Sequence, residues 1–314
     1  MSSSTKLVSI GKINNRKLDL TSLEQLRMFV AAAETGSFSA AGRVLGKGQS
    51  AVSLGISNLE VDLGFELFDR ATRKPGLTKE GQRLLAFAKA ALVQIEDFDA
   101  AAQGLFAGEE TRIRIAMDDA ILLPSLSAQL IEFGNKFSAT EVEFLSAVSP
   151  EIPEIIASGN ADIGLMFSGT QVQKGLEQAF IGNLPFVSVC SPGYPLADVQ
   201  SIGASELLPF RQLLLRSPQG SALDQFPALS VNTWFATSFH TIRELVLQGI
   251  GWSYLPEHLV SDAIASGRVT RLNLRFEHSL WSPPVECVIL KNTRIGPAQT
   301  WLLERVKNIL QAAD

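Results

Sequence analysis

Gln49, Ser50 and Ser53 lie within five residues of one another, and Leu54 and Ser57 continue the run. Short polar side chains at the start of a helix can reach base edges and phosphates in a major groove, and an apolar side chain such as Leu54 can meet a thymine methyl. Arg70, Arg73 and Lys74 follow around Pro75-Gly76, where cations suit the phosphate backbone or the minor groove. The side chains that usually carry catalysis or metals are poorly arranged for either. Cys190 and Cys287 form no C-x-x-C pair, and His240, His258 and His278 are scattered. That usage indicates neither a disulfide framework nor a zinc site. There is no H-E-x-x-H, no G-x-S-x-G and no P-loop. Gly249-Ile250-Gly251 lacks the third glycine of a dinucleotide loop, and Ser3-x-x-Lys6 and Ser9-x-x-Lys12 lie in a polar arm. We therefore expect no catalytic residue, no metal, no enzymatic cofactor and no enzyme.

The elements that would position these residues are legible. Residues 1–20 are polar, lack helical periodicity and predict a disordered arm. Thr21 and Glu24 have the spacing of a capping box, and Leu23, Leu26, Phe29, Val30 and Ala33 then follow helical spacing. Gly36 ends that helix and Ser37 caps a second, 38–45. After the turn Gly46-Lys47-Gly48, a third helix runs 49–63 with Val52, Ile56, Leu59 and Leu63 on one face. Two short helices joined by a glycine turn behind a longer one form a helix-turn-helix, placed at 37–56 within a domain spanning 21–80. The basic stretch around Pro75-Gly76 predicts a small hairpin, the wing. Ser37, Ser39 and Lys47 flank the reading residues and join the candidate DNA contacts. Gly55, on the expected exposed face, should cost about 1 kcal/mol of helix stability relative to alanine.

From 78 to 107 the chain predicts one long linker helix. Leu84, Ala88, Ala91, Ile95, Phe98, Ala102 and Leu105 recur at alternating spacings of four and three, an a/d seam suited to pairing two chains. Few cations line the third helix, so pairing should be needed for useful DNA affinity.

Net charge is −5, which at first argues against a polyanionic partner. Its distribution argues otherwise: residues 1–83 hold 12 Lys and Arg against 8 Asp and Glu, and the remainder holds 15 against 24. Only the docking face must attract phosphates. No apolar stretch is long enough to span a bilayer and no secretory leader is evident, which predicts a cytoplasmic protein with no membrane partner.

Beyond Gly108 candidate strands (112–117, 141–146, 162–167, 212–215, 231–235, 250–254) alternate with helical stretches (122–137, 151–158, 240–248, 298–310), the pattern of parallel sheets covered by helices. Phe38-Ser39-Ala40-Ala41-Gly42-Arg43-Val44-Leu45, then Gln49-Ser50-Ala51-Val52-Ser53, Leu59-Glu60, Leu63-Gly64, Leu67-Phe68, Arg70 and Leu77-Thr78 closely resemble the LysR-type transcription regulators. The looser stretches 192–197 and 246–256 resemble that family's effector domain. The resemblance implies an N-terminal all-α winged helix-turn-helix plus long linker helix, and a C-terminal α/β two-lobed, periplasmic-binding-protein-like effector domain over 111–314. Lobe I would be 111–187 and 288–314, and lobe II 188–287, with crossovers near 185–191 and 285–290.

The implied function is sequence-specific transcription regulation modulated by a small-molecule effector. The implied partners are double-stranded promoter or operator DNA, an effector of unknown identity, a second copy or a tetramer, and RNA polymerase. Positions matching the family's effector site are Asp118, Asp119, Ala120, Phe167, Ser168, Arg216, Thr237, Ser238, Phe239, Trp252 and Tyr254. Two acids at a cleft rim would repel a carboxylate and pair with an amine, while the aromatics supply an apolar wall, so an amine-bearing or neutral ligand with an apolar portion is expected. The alternative is that Asp118 or Asp119 merely caps the following helix. Cys190 and Cys287, on crossovers expected side by side, could form a redox switch or be buried and inert. An effector-independent regulator and a solute-binding protein are the competing readings of the C-terminal half.

Overall fold

Ser22 starts the first helix. In the computed structural model, which describes residues 22–70, 76–169, 174–220, 226 and 228–310, its hydroxyl accepts from Gln25 N (3.1 Å) and Gln25 Oε1 accepts from Ser22 N (2.6 Å). The capping box is therefore Ser22–Gln25 rather than Thr21–Glu24, because Glu24 is drawn away into an ion pair with Lys47. The arm at 1–20, Thr21, and Arg73 and Lys74 of the wing lie outside the described residues. The chain clusters into two compact units, one through Ala100 and one from Ala101.

In the first unit α1 (Leu23–Thr35), α2 (Phe38–Leu45) and α3 (Gln49–Leu63) are followed by the antiparallel pair β1 (Phe68–Asp69) and β2 (Gly76–Leu77), and then by the long α4 (Lys79–Ala107), which crosses the boundary between the units. Phe29, Ala41, Val52, Ile56, Leu59 and Phe68 form the core, with Phe68 edge-on to Phe29 (5.8 Å) and Phe38 (5.2 Å). Gly55 faces α1: a Cβ there would stand 2.3 Å from Met28 Sδ, so an alanine would require the Met28 side chain to move.

The second unit runs β3 (Arg112–Met117), a 3-10 turn (Asp119–Ile121), α5 (Pro124–Lys136), β4 (Glu141–Ser146), α6 (Ile152–Ala157), β5 (Ile163–Phe167), β6 (Leu176–Asn183), β7 (Phe186–Cys190), α7 (Ala204–Leu207), β8 (Gln212–Leu215), β9 (Thr233–Ala236), α8 (Phe239–Leu247), β10 (Ser253–Pro256), α9 (Glu257–Ala265), β11 (Thr270–Arg271), β12 (Pro284–Leu290) and α10 (Pro297–Val306). Lobe I holds the sheet β4-β3-β5-β12-β6, in which β3 is parallel to β4 and β5 and β12 is antiparallel to both its neighbours. Lobe II holds β10-β7-β11 and the parallel pair β8-β9. These are tied by Leu213 N to Trp252 O (2.9 Å) and Trp252 N to Arg211 O (3.0 Å).

The expected strands at 231–235 and 250–254 form two or three residues later. β6, α7, α9 and β11 were not anticipated: β6 lacks a clean inside–outside alternation, and α9 follows β10 with no intervening turn residues.

The chain passes between lobes where Leu184 N donates to Pro283 O (3.0 Å) and Phe186 N to Trp281 O (2.8 Å). The return strand belongs to lobe I from Pro284 onward, earlier than expected. Because the two crossings run antiparallel, they carry the cysteines apart. Cys287 lies opposite Ala179 in lobe I and Cys190 opposite Thr270 in lobe II, in separate hydrophobic clusters. Both are free: the crossings themselves lie side by side as expected, but the two cysteines do not face one another. One cluster does continue through both lobes, from Ile113, Ile115 and Phe133 by way of Phe167, Phe186 and Phe239 to Leu213, Leu255 and Val260.

Candidate functional site

Amphipathicity orients α3. Val52, Ile56 and Leu59 turn inward, leaving Gln49 and Ser50 exposed at its first turn and Leu54 63% exposed one turn later, with Ser53 and Ser57 half-buried beside them. The N-cap is Gly48, which makes no side-chain cap bond, so the positive end of the helix is left to solvent. The remaining expected contacts are partly committed elsewhere. Ser37 caps α2 by accepting from Ala40 N (3.4 Å), Ser39 Oγ accepts from Arg43 Nη1 (3.2 Å), and Lys47 pairs with Glu24.

Arg70 Nη2 donates to Glu60 Oε2 (2.6 Å) and Ser57 Oγ (3.0 Å), and its guanidinium stands 5.8 Å from the Phe38 ring. Glu60, buried, also accepts from Leu67 N (2.8 Å) and Phe68 N (3.1 Å). It thereby fixes the root of the wing, a role missed in the sequence although a lone acid on the apolar face of α3 was the available signal.

The seam on α4 is not one uniform face. Leu84, Ala88 and Ala91 line an apolar groove of about 180 Å³ with Leu26, Phe29 and Leu63, so the first part of the seam serves the head's own core. Phe87, at the groove's edge, is 67% exposed and Phe98, three turns on, 72% exposed. Ile95 is half-buried, and in the second unit Ala102 and Leu105 are exposed.

In the second unit Asp118 is wholly buried. Oδ1 accepts from Ala120 N (3.3 Å), and Oδ2 accepts from Ser149 N (3.1 Å) and Ser149 Oγ (2.7 Å), whose oxygen in turn accepts from Phe167 N (3.0 Å). Burial pushes its carboxyl up to about 7, opposed by the Ser149 hydroxyl bond and reinforced by the Asp119 charge. Asp118 therefore caps the 3-10 turn and pins the Ser149 loop. It is not at a rim, which corrects the expectation of a paired acidic edge and removes the ground for an amine ligand.

Asp119 reaches the other lobe: it accepts from Ser238 Oγ (2.6 Å), Phe239 N (3.2 Å) and His240 N (3.4 Å) at the start of α8. Ala120 is buried beneath it. Phe167 and Phe239 are buried in an aromatic cluster with Phe186, Phe226 and Trp281, centred on Phe186 with neighbours 5.0 to 5.6 Å away. Trp281 meets Tyr254 (5.4 Å), whose hydroxyl donates to Glu277. Ser168 N donates to Pro284 O (2.9 Å), Arg216 stacks over Phe235 (3.2 Å) and Thr237 is exposed. Trp252 meets Tyr254 edge-on (5.9 Å) and is itself fully buried in lobe II among Cys190, Leu196 and Leu207.

Residues 23–82 match the bacterial regulatory helix-turn-helix protein, lysR family, and residues 106–311 match the LysR substrate binding domain. The chain belongs to the LysR family. Over 291 residues it is 27% identical to the transcriptional regulator AceR of Acinetobacter baumannii, covering 91% of this chain and 96% of that one. Over 267 residues it is 30% identical to MetR of Salmonella typhimurium, covering 83% and 82%.

Among solved structures, full-length BenM (TM-score 0.55, 19% identity, 91% and 96% covered) and ArgP from Mycobacterium tuberculosis (TM-score 0.52, 20% identity, 92% and 97% covered) share the fold. The protein is thus a LysR-type DNA-binding transcription regulator with an effector-binding domain. Among its described residues no helix is long and apolar enough to cross a membrane.

In this LysR-type regulator the residues missed by sequence reasoning are Ser149, Phe186, Phe226, Glu277 and Trp281, all recruited by contacts distant in sequence. Burial pushes both thiols up to about 12, with Asp198 adding at Cys190 and Lys307 opposing at Cys287. Neither is then a thiolate at neutral pH, which favours the inert reading over the redox one.

Proposed function

We propose that this LysR-type regulator reads its operator with the exposed N-terminal face of α3, as a pair of chains joined along α4, and senses its effector where the two lobes meet. The observation that carries the reading is the open start of α3. Gln49, Ser50 and Leu54 project from a helix whose other face is locked into the core and whose first N–H groups have no side-chain cap. Arg70 positions the wing through Glu60, and Phe87 and Phe98 offer apolar surface to a second copy.

Effector contacts fall to Asp119, Ser168, Arg216, Thr237, Ser238 and Tyr254, around the junction of β5, α8 and the crossovers. On this reading the protein acts in the cytoplasm by binding and not by catalysis, with RNA polymerase as a further partner.

The test is fluorescence anisotropy of the full-length protein on DNA from upstream of its own gene, across a salt series, against unrelated DNA. Binding that exceeds the control by about 10³-fold or more is expected. Equal, salt-labile binding to both DNAs would mean phosphate attraction alone and would sink the assignment of α3 as the reading element.

A further inference from the structure

Asp119 and Ser238 are 119 residues apart and belong to different lobes, yet they form a short hydrogen bond (2.6 Å). The start of α8 does not need Asp119 for its local cap, because Ser238 Oγ already accepts from Thr241 N (3.3 Å). Its proton is free to go to Asp119 Oδ2, and the next two amides, Phe239 N and His240 N, also donate to that carboxylate. Three donors at the positive end of a nine-residue helix converge on one carboxylate delivered from across the lobe junction. Behind it Phe167 of lobe I and Phe239 of lobe II stand 6.3 Å apart in the shared aromatic cluster. A free carboxylate bound between the lobes would be held by the same donors.

We propose that Asp119 is a built-in carboxylate ligand of α8, holding the lobes together and closing this seat to free carboxylates. The inference rests on the reading that effectors act at the lobe junction. It narrows their chemistry: a free carboxylate must displace a tethered one and meets like charge beside it, whereas an uncharged ligand meets neither obstacle.

The experiment uses the full-length protein and sodium acetate as probe, against sodium chloride at equal ionic strength, with thermal unfolding and small-angle scattering as readouts. The native protein should respond to the two salts alike. Asp119→Ala should lower the unfolding midpoint of the effector domain and enlarge its radius of gyration. Acetate, but not chloride, should then restore about half or more of the lost midpoint in a saturable manner, as expected for a ligand that binds only the folded state. Adding Ser238→Ala should abolish the rescue. An Asp119→Ala protein with the native midpoint and radius overturns the proposal, as does acetate stabilising native and variant equally. Should that variant fail to fold, Asp119→Asn decides, since it keeps the shape and loses the charge: a lowered midpoint supports the latch and a native one removes it. DNA takes no part in these readouts, so a failure of operator reading and a failure of the latch are separable.

Discussion

The head and the effector domain dispose of their polar side chains in opposite ways. In the head, a core of Phe29, Val52, Ile56 and Phe68 takes one face of each helix, and the other face, with Gln49, Ser50 and Leu54, is left to solvent. In the effector domain Asp118, Asp119 and Ser149 stand where strands and turns meet, and each is consumed by a partner within the protein. A recognition surface made by helical periodicity is open by construction. One made where two lobes converge can be filled by the protein itself.

The largest test of that contrast is Phe186→Ala. This side chain is 1% exposed and joins the lobes through four aromatic neighbours, so its loss should cost the effector domain about 3 to 5 kcal/mol. Calorimetry of the full chain should show that loss with the head's transition unmoved. A cost below about 1 kcal/mol would mean the lobes are held by something else.

A second test titrates the buried polar groups. Asp118 has its carboxyl raised to about 7, so its contribution is full below about 4, its unfolded value, and is lost as pH rises to 7. His258 behaves oppositely: burial, then the charge of His240, lowers it to about 4, and its contribution, present above about 6.5, is lost as pH falls. Over pH 4 to 7 the Asp118→Asn protein should therefore gain stability with pH more steeply than the native one, and His258→Gln less steeply. Each difference is bounded by about 1.4 kcal/mol per pH unit. Denaturant unfolding across that window measures both, and parallel curves would show that neither group is perturbed.

The smallest effect on stability belongs to Leu54→Ala on the exposed face of α3, within about 0.5 kcal/mol. It should nevertheless relax sequence preference at one base position by on the order of 1 to 3 kcal/mol in a binding selection. An unchanged preference would remove Leu54 from the reading face.

The same contrast explains what could be read from the sequence. The helices of the head were visible because caps, glycines and apolar spacing act within a few residues, and only the capping box slipped by one, from Thr21 to Ser22. Strands β3, β4 and β8 were visible for the same reason. The lobe junction was not, because nothing local marks Asp119 as the partner of Ser238, or Trp281 as the neighbour of Phe186. Trp252 and Tyr254, two residues apart, form one wall as their spacing suggests, their rings meeting edge-on (5.9 Å), but Trp252 is fully buried in lobe II. Helix propensity alone does not show that Gly55 faces Met28 of α1, a contact between elements distant in sequence.

The place of β12 has a kinetic meaning. It lies between β5 and β6, and its Val285 pairs with both Phe167 and Gly182, residues made more than a hundred positions earlier. During synthesis β6 has no neighbour in its own sheet until lobe II has been built and residues 284–290 have emerged. Lobe I therefore waits, with an open sheet edge, on the completion of its companion, and closing that long loop is a late and slow event in the folding of this domain.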